Sequence, residues 1–307
     1  MSYFAWMGAI EAGLIFGLVA IAVYISFRVL DFPDLTVEGS FPLGAATTAV
    51  SLVNGIDPLV ATALGALVGA AAGCITALLT VSLGFLHLLS GILVSIALYS
   101  INLRIMGQPN IALLQERTIF SYLQDFGLPD SQAVVATLLI FAFASIAIVS
   151  RFLSSQIGLA IRATGINSRM AAANGVDTKL AVFVGLAISN GLVGLAGSLF
   201  AQSQGSADVA MGIGTIVVGL AAVILGESFI SSSKVLPSVL GAILGALVFR
   251  VVVALALNLN AIGLQSQDLN LITALLVIFA LLMPRVRKRI ARKSQTTRDA
   301  RAVRGEL

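Results

Sequence analysis

Apolar runs of membrane-crossing length, almost bare of charge, dominate this chain and decide its solvent. They lie at about 12–30, 39–54, 59–83, 86–106, 133–152, 180–201, 209–226, 235–257 and 269–283. A helix needs about 20 such residues to cross a hydrocarbon core about 30 Å thick. The second, seventh and ninth runs are short by that measure. Backbone groups in lipid must be satisfied inside the protein, so only helices or a closed barrel can span. Glycine is abundant (29 residues) and aromatic residues are few (7%), which favours close-packed helices over a barrel with aromatic girdles. Only 10% of residues are charged, against roughly 25% in a soluble domain. The expected fold is all-α: a polytopic membrane protein of about nine transmembrane helices.

Charge placement sets the expected orientation. The N-terminus has no basic region and no small-residue cleavage site, so it reads as a retained first span. The tail 285–307 holds nine of the eighteen basic residues. Directly after a hydrophobic span, such a tail marks the cytoplasmic side and contacts anionic lipid, in preference to nucleic acid. With nine spans and the tail inside, the N-terminus lies outside. The inner loops then hold Arg28, Arg151, Arg162, Arg169, Lys179 and Lys234 besides the tail, and the outer loops only Arg104 and Arg117. The expected division is a membrane domain at 1–284 and a basic cytoplasmic tail at 285–307.

The halves of that domain echo one another. Gly39 and Gly44 of the second run recur as Gly214 and Gly219 in the seventh, both offset by 175 residues. Gly65 and Gly69 of the third run recur as Gly241 and Gly245 in the eighth, offset by 176, and Gly73 extends the first ladder. An acidic residue precedes each short run: Asp34 and Glu38, then Asp208. The pattern is a first repeat at about 12–106, an extra helix at about 133–152, a cytoplasmic loop at about 153–179 and a second repeat at about 180–284. The odd helix inverts the second repeat. Inverted repeats with short, glycine-interrupted spans in matching places characterise transporters.

Catalytic chemistry is missing. None of the four lysines follows a glycine, so there is no nucleotide-binding Gly-Lys-Ser/Thr loop. No metal-ligand spacing and no nucleophile elbow appear, and neither a metal nor a cofactor is expected. Cys74 reads as a small packing residue and His87 as interfacial. Arg250, about two-thirds along the eighth run, either snorkels to the outer surface or forms a structural ion pair. Glu227 ends the seventh run. With so little buried charge, ion coupling lacks its usual groups, and the transport energy must come from elsewhere.

The short runs carry the polar atoms. Pro33, Gly39 and Pro42 interrupt the hydrophobic pattern of "DFPDLTVEGSFPLGAATTAV", and irregular backbone at membrane depth survives where it is buried or lines a pathway. Thr36, Glu38, Gly39, Ser40 and Gly44, with Asp208, Gly214, Thr215 and Gly219, are the pathway or gate candidates. A cytoplasmic loop followed by an ordinary small-residue helix is the plainer alternative. The glycine ladders read as helix packing. Outside, Ile119, Leu123 and Phe126 stand at helical spacing and predict an amphipathic surface helix.

The stretch "GINSRMAAANGVD" predicts a two-turn helix outside the bilayer, with Asn167 as N-cap and Asn174-Gly175 as a left-handed stop. Two turns are marginal alone and persist only when packed. Met170 and its alanines form a small adaptable knob with Arg169 at its edge, suited to docking a separate motor; a connector lying on its own bundle is the alternative.

"IGLAIRATGINSRMAAANGVDTKLAVFVGLAISNGLVGLAGSLFAQ" resembles the cytoplasmic loop and next helix of permeases from bacterial binding-protein-dependent ABC importers of the branched-chain amino acid and ribose type. "LDFPDLTVEGSFPLGAA" and "ALYSINLRIMGQPNIAL" are similar to a narrower subgroup associated with uptake of amino acids, aromatic ones included. The resemblance implies a permease subunit in the cytoplasmic membrane with no activity of its own. ATP would be bound and hydrolysed by cytoplasmic partner subunits, an extracytoplasmic binding protein would deliver solute, and a second permease subunit would complete the pathway. It places Gly165, Asn167, Arg169, Met170, Ala172 and Gly175 in the ATPase-coupling helix. Ten-span members of that family have one more N-terminal helix, and the Glu-Ala-Ala of other importer loops is here "MAAANG", without the acid. A sugar or nucleoside permease, a channel and an ion-coupled carrier are the rival readings.

Overall fold

The computed structural model describes residues 3–230, 232, 234–258, 274, 275 and 278. Among them the chain forms α1 (Tyr3–Val23), continued by a π-helical turn at Tyr24–Val29, then α2 (Val37–Val53), α3 (Pro58–Val81) and α4 (His87–Met106). A three-residue strand β1 (Asn110–Ala112) and the short α5 (Ser121–Asp125) precede α6 (Asp130–Leu153). Then come α7 (Gln156–Ile166), α8 (Ser168–Ala173), α9 (Thr178–Gln204), β2 (Ser206–Asp208), α10 (Thr215–Phe229) and α11 (Val235–Asn258). Six of these segments are long and apolar enough to cross a membrane: α1 with its π turn, α3, α4, α6, α9 and α11. The expected spans two and seven are the shorter helices α2 (17 residues) and α10 (15 residues). The tail and, apart from residues 274, 275 and 278, the ninth expected span lie outside the described residues.

Helix packing follows the small residues. In lipid no hydrophobic force drives helices together, so close backbone approach and internal hydrogen bonds must do it. The ladder Gly65, Gly69 and Gly73 of α3 lies against α9: a Cβ at Gly69 would meet Asn190 and Gly194, and one at Gly73 would meet Leu186. Gly241 and Gly245 of α11 play the same part against Gly226 and Ala222 of α10. Gly13 and Gly17 of α1, which the sequence reading did not single out, admit Leu247 and Ile243 of α11. The result is a crossed arrangement in which α9 packs on α2 and α3, α1 packs on α10 and α11, and α1 and α9 touch.

Several expectations need correction. The all-α class stands, but a short ribbon is added to it: β1 and β2 pair antiparallel in the register Asn110↔Asp208, Ile111↔Ala207 and Ala112↔Ser206. The ribbon brings the α4–α6 connection and the α9–α10 connection to one end of the bundle. Residues 209–214, counted in span seven by hydropathy, are turns, and the helix starts only at Thr215. The amphipathic helix expected around Ile119, Leu123 and Phe126 is just the five residues of α5: Ile119 is buried ahead of it and Phe126 is 88% exposed behind it. Pro42 does not break α2, which runs through it. Arg250 neither snorkels nor pairs with a carboxylate among the described residues. Its guanidinium carbon lies 3.7 Å from the centre of the Phe16 ring, a cation–π contact.

Candidate functional site: a capped outer helix and a buried polar seam

At one end of the bundle, α7 and α8 meet in an elbow. Asn167 ends one helix and starts the other: its N–H donates to the Ala163 carbonyl (3.0 Å) and its Oδ1 accepts from Met170 N (3.0 Å). The extended backbone at Asn167 (φ −159°, ψ 98°) makes the corner. Asn174 closes α8 by donating from Nδ2 to the Met170 carbonyl at 2.8 Å, and Gly175 at φ +83° turns the chain away. A left-handed residue here favours glycine, because any Cβ would crowd its own carbonyl. On α8, Arg169, Met170 and Ala172 face outward and Ala171 faces in. Met170 is 66% exposed, and Ile166, which the sequence reading passed over, is 86% exposed. Gly165 is not part of this outer face: a Cβ there would fall on the carbonyl oxygen of Val29.

Beside the elbow lies a cleft of about 560 Å³ whose lining includes Asp31, His87, Gly165, Arg169 and Lys179. Phe32 stacks on His87 with ring centres 4.4 Å apart. The ion pair Arg28–Glu227 (2.6 Å) joins the π turn to the last turns of α10. Neither charge was paired in the sequence reading, because partners 199 residues apart leave no local signal.

The pathway candidates fall into three places. Thr36 and Ser40 are fully buried in a polar seam. Asp34 accepts from Thr36 N (2.9 Å) and from Asn190 Nδ2 (2.6 Å), Ser40 Oγ donates to Asn190 Oδ1 (2.7 Å), and the Thr36 and Thr76 hydroxyls lie 2.7 Å apart. The seam continues through Thr48 and Ser198 (2.8 Å) to Gln202 and Thr62 (2.8 Å). Gly39 lies against Leu98 and Ser95 of α4, and Gly44 against Gly194 of α9. A second group joins the two halves: Glu38 Oε1 accepts from Gly214 N at 3.2 Å, next to buried Thr215, while Gly219 lies on Val19 and Val23. Gly214 has φ +79° and no side chain to cap α10, so Glu38 supplies the acceptor from the other half. Asp208 stands apart at the ribbon, where it accepts from Ala210 N (2.7 Å) and from Asn110 (3.4 Å).

Sequence reasoning missed the α9 side of the seam. Asn190, Gly194, Ser198 and Gln202 recur every fourth residue, which places them on one helix face. That stripe was the available signal. Each unpaired polar atom in this interior would cost about 1–3 kcal/mol, so a nearly complete set of partners holds α2, α3 and α9 together. Asn102 Oδ1 and Arg250 Nε are buried without a hydrogen-bond partner among the described residues.

At the ribbon end, a cleft of about 510 Å³ lies between the α2–α3 turn and α5. Tyr122 donates to Asp57 Oδ2 at 2.5 Å, while Asp57 Oδ1 caps α3 by accepting from Leu59 and Val60 N–H. The Tyr122 hydroxyl holds the Asp57 carboxyl below its usual value, and the same bond raises the tyrosine.

Comparison with known proteins agrees along the whole bundle. The chain is 40% identical over 265 residues to the tyrosine transport system permease protein of Clostridioides difficile (strain R20291), covering 86% of each chain. It is 32% identical over 277 residues to an uncharacterized protein of Rickettsia prowazekii (strain Madrid E), covering 89% of this chain and 95% of the other. No solved structure matches. Residues 7–283 match the family described as branched-chain amino acid transport system, permease component. The chain therefore belongs to that family and, with its long apolar helices, is the multi-pass membrane component of a transport system rather than an enzyme.

Proposed function

We propose that this permease imports an amino acid, with aromatic amino acids the first class to test, and that it is driven by ATP hydrolysed in partner subunits docked on α8. The observation that carries the docking reading is α8 itself: six residues, capped at both ends, presenting Arg169, Met170 and Ala172 to solvent beside exposed Ile166. A helix of this length does not hold itself together. Its elbow to α7 keeps it formed while its outer face stays free for a partner. The substrate class is supported by the relative named for tyrosine transport.

A permease component of this family works with an ATPase and a solute-binding protein. The ATPase occupies the α7–α8 end, which is cytoplasmic together with the basic tail. The binding protein docks at the ribbon end, which is outside together with the N-terminus. A second permease subunit, identical or paralogous, completes the pathway, and lipid covers the remaining apolar faces. The membrane domain spans 1–284 in two inverted halves. Supporting that symmetry, Asp34 and Asp208 make the same turn, each accepting from the N–H two residues on, and α1 and α9 occupy crossed, equivalent positions. Closure of the ATPase moves α8 and the halves rock about their contact. Thr36, Glu38, Gly39, Ser40, Gly44, Asp208, Gly214, Thr215 and Gly219 form the gate that this motion opens, and the glycine ladders keep the moving helices in register.

Purification tests this directly. The chain should bring down a stoichiometric ATPase, and Ala172→Glu should lose both that subunit and ATP-driven uptake while staying inserted. Normal uptake by Ala172→Glu would sink the docking role. Accumulation against a gradient in vesicles holding only this chain would sink the whole reading.

A further inference from the structure

Among the described residues, the inner end of α1 holds the one π-helical turn. We propose that the π-helical turn Tyr24–Val29 is the element of the transport core that receives the movement of α8, with Gly165 as the positioning residue that transmits it. This rests on the reading of α8 as the ATPase contact and names where the resulting movement goes.

The first observation is the contact. The last turn of α7 meets the end of the π turn backbone to backbone, since a Cβ at Gly165 would fall on the Val29 carbonyl oxygen and lie 2.9 Å from the Leu30 carbonyl carbon. Ile161, one turn earlier, is fully buried. No loop separates α7 from α8, because Asn167 caps both. Bare backbones in contact have no side-chain rotamers to take up motion, so displacement of α8 arrives at Val29 without slack.

The second observation is that the receiver is adjustable. In a π turn each N–H reaches back five residues, as Leu30 N does to Ile25 O (3.0 Å), and one more residue is stored than an α-helix holds. Phe32 N reaches further, to Ser26 O at 2.9 Å. Hydroxyls share the loosened carbonyls: Ser26 Oγ lies 3.4 Å from the carbonyls of Ala22 and Val23, and Ser189 Oγ of α9 donates to the Ala22 carbonyl at 2.8 Å. Releasing the stored residue would exchange these bonds for ordinary helical ones and move Val29 by about 1.5 Å along the helix. Asp31, left-handed at φ +55°, ends the segment and is the one non-glycine with positive φ among the described residues.

The third observation is the reach of the segment. Arg28 ties it to α10 through Glu227, and Leu30 lies beneath Gly185 of α9. Above the turn, α1 packs on α6, α9, α10 and α11. A shift at Val29 therefore reaches both halves of the bundle at once.

The test uses the full chain assembled with its ATPase and binding protein in vesicles. Deleting Phe27, whose side chain is 42% exposed, turns the π turn into an α turn. This complex should keep its ATPase and hydrolyse ATP within twofold of the parent rate, while uptake falls at least tenfold and hydrolysis stops responding to loaded binding protein. Ser189→Ala is the milder variant: it leaves every backbone contact in place and should lower the solute moved per ATP at least twofold. Gly165→Ala should cut uptake at least tenfold. Parental stoichiometry in both the Phe27 deletion and Ser189→Ala overturns the proposal, as does loss of the ATPase from the deletion complex, which would make the turn part of the dock. Ala172→Glu reads the docking assumption alone: if it keeps ATPase and uptake, that assumption falls whatever the turn does.

Discussion

The two short helices, α2 and α10, are held in different ways. The start of α2 is anchored from within its own half and by α9: Asp34 caps the turn before it, and Asn190 ties Asp34 to Ser40. Its glycines are packing glycines, with Gly44 against the Gly194 backbone. The start of α10 borrows its cap from α2 through Glu38, and Gly214 is there for its backbone angle, since nothing stands within 4 Å of where its Cβ would be. One helix is wedged and the other is hung. The start of a wedged helix moves only with its neighbours, whereas a borrowed cap is lost by breaking a single bond, even though the later turns of α10 stay packed on α11 through Gly226 and Ala222.

The largest effect should come from attacking the wedge. A Cβ at Gly44 would lie 2.6 Å from Gly194 Cα and 2.7 Å from its carbonyl carbon, and backbone cannot step aside as a side chain can. Gly44→Val should cost about 3 kcal/mol, the upper end for overpacking, or prevent folding. Gly214→Ala should cost only about 1–2 kcal/mol, the strain of one left-handed residue. Thermal unfolding in detergent compares them directly. Equal destabilisation would erase the distinction between a packing and a conformational glycine.

Next in size is the seam. Asn190→Leu removes a donor from Asp34 and an acceptor from Ser40 inside a region closed to water. A loss of about 2–3 kcal/mol is expected. Glu38→Ala should cost about 1 kcal/mol, the usual value of a cap, and Glu38→Gln less, because an acceptor oxygen remains. Hydrogen exchange separates the cases further: Glu38→Ala should speed exchange in the first turn of α10 and leave α2 unchanged. Faster exchange in both helices would mean that they are held as one unit.

What the chain reveals before folding follows from the range of each interaction. The caps of α8 were legible because Asn167 and Gly175 act on residues within a turn of themselves. The α3 ladder was legible because its period is that of the helix. The start of α10 was misplaced because residues 209–213 are apolar, and hydropathy reports burial without reporting conformation. The ribbon, the Arg28–Glu227 pair and the bond from Asn190 to Asp34 were invisible, since each joins residues about a hundred or more positions apart. The π turn left no mark because "YISFRV" is as good an α-helix as its neighbours. Its tertiary contacts, Ser189 on the Ala22 carbonyl and Gly165 on the Val29 carbonyl, come from residues more than a hundred positions away.

The smallest expected effect lies at the far ends of the two short helices. The end of α10 holds the ion pair Arg28–Glu227, whose side chains are 62% and 36% exposed, so salt should weaken it. Past the end of α2, Asp57 receives the Tyr122 hydroxyl, a bond that responds to pH instead. The Asp57 carboxyl is depressed chiefly by that bond, so its contribution is present above the ordinary aspartate value of about 4 and is lost as pH falls through the lower folded value. Tyr122 is raised chiefly by the same bond, so its contribution is present below the ordinary tyrosine value of about 10 and is lost as pH rises through the higher folded value. Tyr122→Phe should therefore lower the melting temperature slightly between those limits and make no difference beyond either one. Asp57 still caps α3 in that variant, so the change should be confined to the α5 region. A difference that persists at pH 2 would mean that Tyr122 contributes by packing, and the ends of α2 and α10 would then differ in salt response but not in pH response.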